Sequence, residues 1–196
     1  MAELVRTVEL RVLEGPNLYF PRPAIKLTLE VPGWLRATEE RVAGLAEAVG
    51  VGGAVPGAPG TAQRLRTTAR IAVQLTRRIA HETGPGRLAV RGRPGPGTGE
   101  IVVAFPWRRR GAAEALGRAV ASGMSAILRR SPARVIAELG AEVAAAEPGA
   151  APSVPDPDVP VIQITGTNGK TTTTRLIAHI VQEAKKRVAF SSTDGV

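Results

Sequence analysis

The 196-residue sequence has no cysteine and only two histidines, His81 and His179, far apart in the chain. A disulfide framework, a thiolate zinc site, an iron–sulfur cluster and a cysteine nucleophile are thereby excluded, and any metal is expected on oxygen ligands. Aromatic residues make up 3% of the chain, too few for the stacking platforms of a single-strand nucleic-acid binder. No run approaches the roughly 18 uninterrupted apolar residues of a membrane span, and "MAELVRTVEL" carries charges where a signal peptide needs its apolar core. These absences predict a soluble, cytoplasmic chain, with neither membrane nor nucleic acid as its partner.

What the chain has in excess is arginine. It carries 26 Lys+Arg against 17 Asp+Glu, and only Lys26, Lys170, Lys185 and Lys186 are lysines. With 22 Gly and 16 Pro, this bias is as well explained by genome composition as by an anionic partner. A hydrophobic content of 43% is that of a globular protein, and the length fits one domain plus a fragment.

Period-two alternation predicts two strands, one with Val8, Leu10 and Val12 on its core face and one with Ile25, Leu27, Leu29 and Val31. Between them, Glu14 to Pro23 reads as a loop on its Gly15-Pro16-Asn17 turn signal and flanking prolines. Thr38 is the expected cap of a helix that starts with Glu39 and Glu40, buries Val42, Leu45 and Val49 and stops at Gly50. Gly50 to Gly60 is rich in Gly and Pro and is expected to be a mobile loop. A long helix follows, with Leu65, Ala69, Ala72, Leu75 and Ile79 in a stripe among Arg64, Arg66, Arg70, Arg77 and Arg78, ended by Gly84-Pro85. Next comes a hairpin of Leu88–Val90, a Gly92–Gly99 tip and Ile101–Phe105, and then two helices, the second capped by Ser131 with Pro132 in its first turn. The first domain is therefore read as α+β over residues 1–146, followed by a proline-rich linker at 147–160.

Residues 161–196 read as strand, glycine turn, helix and strand. Val161, Ile162 and Ile164 form the first strand, and Leu176, Ile177, Ile180, Val181 and Ala184 share one face of the helix. Lys185, Lys186 and Arg187 lie at its negative end, and Val188–Phe190 begins the second strand. Glycines let the backbone of Gly166-Thr167-Asn168-Gly169-Lys170-Thr171 curl with its N–H groups inward, and a helix N-terminus adds unpaired donors and partial positive charge. This is the chemistry of a phosphate site, with Lys170 reaching the β- and γ-phosphates and the Thr171 hydroxyl completing a magnesium shell. The turn departs from G-x-x-x-x-G-K-[ST], since Ile164 stands five residues before Gly169.

The shortened turn "GTNGKTTTT" resembles the ATP loop of the Mur ligase superfamily. "SSTDGV" is similar to the segment after the second strand in the cyanophycin synthetase family, whose N-terminal domain "RVLEGPNLYFPRPAIKLTLEV" (Arg11 to Val31) also resembles. The resemblance implies the first βαβ part of a P-loop α/β domain in an ATP-dependent, ADP-forming carboxylate–amine ligase. In such ligases ATP phosphorylates a carboxylate and an amine displaces the phosphate. It implies ATP and Mg²⁺ as cofactors, with Gly166, Thr167, Asn168, Gly169, Lys170, Thr171 and Thr172 around the phosphates and Lys170 as the catalytic residue. Thr171 would ligate Mg²⁺, and Ser192 or Thr193 would stand at the metal or substrate edge. Asp194 reads better as a turn residue. The family places an ATP-grasp domain between these two parts, and here a short linker stands in its place. The ligase segment is accordingly expected to be truncated, with weak nucleotide affinity and no detectable turnover, and a complementing ligase chain or a homo-oligomer is its candidate partner.

An amino acid or an acidic peptide or polymer is the partner that the resemblance implies. It makes such an anion the functional alternative for Arg64, Arg66, Arg77, Arg78 and Arg108–Arg110, which otherwise read as solvated surface. His81 and His179 read as surface residues. Two competing classes are a non-catalytic binding protein with a vestigial or regulatory nucleotide loop, and a P-loop kinase or other NTPase, which the loop length disfavours.

Overall fold

The computed structural model describes residues 3–84, 86–153, 159–164, 166 and 168–191. They divide into two compact units, residues 1–154 and 155–196. Of the residues singled out above, Pro85, Thr167, Ser192, Thr193 and Asp194 lie outside the described set.

The first unit is built on a four-stranded sheet in the order β1-β2-β4-β3, with every neighbouring pair antiparallel. Its strands are β1 (Arg6–Leu13), β2 (Ala24–Glu30), β3 (Arg91–Pro94) and β4 (Glu100–Pro106). Helices α1 (Pro32–Arg36), α2 (Glu39–Val49), α3 (Ala62–Glu82), α4 (Arg110–Ala126) and α5 (Pro132–Ala144) complete it. Alternation in β2 and β4 puts Ile25, Leu27, Leu29, Ile101, Val103 and Phe105 into one core with Leu75 and Ile79 of α3 and Val120 of α4. The same alternation turns Arg91 and Arg93 outward, where they lie over the rings of Phe20 and Tyr19. The Asn17 side chain ties the β1–β2 loop together, accepting from the N–H groups of Tyr19 and Phe20 and donating to the carbonyls of Gly15 and Arg22.

Several expectations need correction. Val8 is 45% exposed rather than in the core, because the β1–β2 register shifts between Thr7 and Glu9 and leaves Val8 as the extra residue of a bulge. The hairpin's first strand is Arg91–Pro94, not Leu88–Val90. Here Gly92 lets the strand press on α3, since a Cβ would stand 2.5 Å from Val73 Cγ2. Ser131 precedes α5 as expected, but its side chain makes no capping bond, and Pro132 alone marks the start. Helix α1 has no counterpart in the sequence reading. It buries Trp34, whose Nε1 donates to the carbonyl of Met124 at 2.9 Å.

The Gly50–Gly60 segment is pinned rather than mobile. Arg64, read as part of a solvated ring, is 0% exposed and donates to the carbonyls of Pro56 and Gly57 in that loop and of Trp34 and Ala37 beyond it. The volume-poor loop thus supplies what a buried guanidinium requires, a fan of carbonyl oxygens. Burial lowers the Arg64 pKa from its ordinary value. The stretch expected to run free from residue 147 is docked as far as Ala150. Arg109 offers no capping side chain to α4, and the carbonyls of Ala150 and Pro148 accept from the N–H groups of Arg110 and Ala112 instead.

The described part of the second unit contains one element, α6 (Lys170–Glu183). Residues 161–164 and 186–191 form no strand, so the helix of the expected βαβ unit is present without its described flanks in a ladder. Parallel strands gain their hydrogen bonds and burial only from neighbours, and here Val161 and Ile162 are exposed.

Candidate phosphate-binding loop

Gly169 opens α6 in the left-handed region, at φ 76°, and Gly166 has φ 151°. Both angles suit glycine, and a Cβ on Gly169 would meet nothing, so the conformation and not the space selects the residue. Having no side chain, Gly169 cannot cap the helix, and the first turn of α6 holds no acidic residue. The positive end of the helix dipole is therefore presented along an exposed loop.

Lys170 folds back across this turn. Its Nζ donates to the carbonyl of Gly166 at 2.6 Å, which sets the exposed ammonium over the turn. Inside the helix, Thr173 N–H donates to Gly169 and the Thr174 hydroxyl to Lys170, both through main-chain carbonyls at 2.9 Å. Thr174 is thus occupied with its own helix. Gly166, Asn168, Gly169, Lys170 and Thr172 are exposed and Thr171 half-buried, so five of the predicted residues are open to a ligand while Thr171 sits at the first inward position. The arrangement can receive a tetrahedral anion at the helix end with a cation beside it.

The other candidates are scattered. His81 and His179 are exposed, and no group of three potential metal-ligating side chains occurs among the described residues. Arg108 and Arg109 are exposed, whereas Arg110 pairs with Glu14 and Glu114. Arg66 bonds Gln63, Arg77 reaches the carbonyl of Val90 and Arg78 that of Ala48. The burial of Arg64 removes it from any binding surface. Its sequence signal was the Gly-Pro loop just ahead, whose carbonyls have no ladder to join. No described helix is long and apolar enough to cross a membrane.

Comparison with known proteins bears on this segment. Residues 164–195 match the Mur ligase middle domain. Over 38 residues the chain is 66% identical to the cyanophycin synthetase of Crocosphaera subtropica and 58% identical to that of Geminocystis herdmanii, in each case 19% of this chain and 4% of the relative. Over 39 residues it is 68% identical to the UDP-N-acetylmuramoylalanine–D-glutamate ligase of Nitrobacter winogradskyi, 20% of this chain and 8% of that protein. These relatives are matched over a small fraction of their length. Residues 164–195 are thus similar in sequence to the middle domain of the Mur ligase superfamily, and to the cyanophycin synthetases within it.

Proposed function

We propose that the protein works as an ATP-dependent, ADP-forming carboxylate–amine ligase, with residues 166–172 as its phosphate loop. The observation that carries this reading is the Lys170 ammonium held over Gly166 at the mouth of α6. The fit to ATP is chemical. An exposed helix N-terminus without acidic side chains welcomes a phosphate, and the Lys170 ammonium over the turn is placed to meet its oxygens. Gly166 and Gly169 keep the backbone close to the anion, Asn168 and Thr172 flank it, and Thr167 belongs to the same proposed set. Mg²⁺ is bound chiefly by phosphate and water oxygens, so Thr171 is the one described side chain proposed as its ligand, with Ser192 as the further candidate. ATP supplies the phosphoryl group that activates a carboxylate. The residues of this chain position its phosphates and offset their charge.

The first domain, proposed as residues 1–146, is taken to hold an amino acid or acidic peptide substrate for that chemistry. The test is calorimetry with Mg·ATP. Lys170→Ala is expected to weaken binding roughly tenfold or more, the worth of one charge-assisted contact. Equal affinity in both proteins would remove the loop assignment. ADP release that depends on a carboxylate and an amine together reads the ligase chemistry itself.

A further inference from the structure

A second polar constellation lies in the first unit. Arg70, Gln74 and Arg77 follow one another on α3 at steps of four and three, which stacks them along one side of the helix. They line a cavity of about 380 Å³ whose other walls include Val51, Val90 and Gly92. The walls are fixed: Val51 and Val90 are buried, the N–H of Val51 is bonded to Ala46, and Gly92 presses against Val73.

The charges in this cavity lack a counter-ion. Arg77 gives Nη2 to the carbonyl of Val90 at 3.3 Å, while its buried Nε meets no acceptor. Neither Arg70 nor Arg77 pairs with a carboxylate among the described residues, and no described lining residue is acidic. The negative end of α2 adjoins the cavity at Gly50, and three of its last carbonyls are already engaged. Glu47 and Ala46 accept from the N–H groups of Gly50 and Val51, and Ala48 accepts from Arg78 Nη1 at 2.6 Å. Two cations and an amide therefore line an open pocket with no carboxylate beside them, and the buried Arg77 Nε adds a donor that has no acceptor.

We propose that this cavity binds a small phosphoryl anion, gripped by Arg70 and Arg77 with Gln74 between them. The donor set selects the ligand class. A carboxylate presents one edge and is satisfied by one guanidinium fork, whereas a phosphoryl group spreads three oxygens and takes forks from two directions as well as an amide N–H. The site shares no residue with the loop at 166–172, so either assignment can fail alone.

The experiment is calorimetric titration of inorganic pyrophosphate into the intact chain carrying Lys170→Ala, which removes the loop lysine. Binding is expected to persist there and to fall roughly tenfold or more when Arg70→Gln is added, with a similar fall for Arg77→Gln. Arg70 is exposed, so the melting temperature of the Arg70→Gln variant without ligand should match that of its parent. Absence of pyrophosphate binding in the Lys170→Ala protein would overturn the proposal. So would affinity unchanged by Arg70→Gln, or succinate bound as tightly as pyrophosphate.

Discussion

Helices α3 and α6 are both amphipathic, yet only one has its apolar side covered. Leu75 and Ile79 of α3 are 0% exposed, while Leu176 and Ile180 of α6 are each 57% exposed. Helix α3 lies on β3 and β4 and against α4 and α5, whereas the described segments on either side of α6 form no strand. A helix closes its hydrogen bonds within its own sequence, but a strand has none until a neighbour arrives. The glycine turn before α6 belongs with the helix in this respect. Among its described residues, two glycines at positive φ and one lysine bonded to the Gly166 carbonyl are all local, so they need no sheet beneath them.

The contrast can be broken or sharpened by substitution. The largest loss is expected for Arg64→Met, which takes the donor from four carbonyls at about 1–3 kcal/mol each before water repays part. A net cost of roughly 3–5 kcal/mol in urea denaturation should follow, and a cost below about 1 kcal/mol would mean that the loop is not held by this side chain. Leu75→Ala should cost roughly 2–5 kcal/mol as a core truncation. Leu176→Ala, the same change on α6, should stay within about 0.5 kcal/mol. Similar values for the two leucines would erase the distinction between the helices. Thr61→Ala should cost about 1 kcal/mol, since its hydroxyl caps α3 by accepting from Arg64 N–H at 3.2 Å.

The smallest effect concerns acid. Hydrogen bonds from Arg130 and Arg134 hold the exposed Glu138 carboxyl below its ordinary pKa. A depressed carboxylate stabilises the fold above its unfolded pKa of about 4.3, and that contribution disappears as pH falls through the folded value. The stability difference between wild type and Glu138→Gln should therefore be constant near neutrality and shrink below about pH 4.3. A difference that grows in acid would contradict the assignment.

The sequence was legible where a rule acts within a few residues. Thr38 caps α2, Gly50 ends it in the left-handed region, and the stripe of α3 is buried as its spacing requires. The glycine turn before Lys170 and the helix behind it were legible for the same reason. What failed depends on partners distant in the chain. The bulge at Val8 is decided by register against β2, and the place of β3 by how closely Gly92 can approach α3. The burial of Arg64 needs carbonyls from residues 34 and 37, about thirty positions away, which no local pattern reports. Its charge suggested solvent, and its full set of acceptors decided otherwise.

The two outer strands of the sheet bear on how the chain behaves in company. Strand β3 is four residues long, places arginines at both 91 and 93, and ends at Pro94, which has no N–H to offer. Strand β1 is interrupted by its bulge and lined with Arg6, Glu9 and Arg11, two of which are tied to β2 through Glu30 and Lys26. Neither border gives the long, flat row of amides on which strand exchange and fibril growth depend. Two such sheets meeting edge to edge during refolding or at high concentration would face charge and a broken ladder, and the encounter would end in separation.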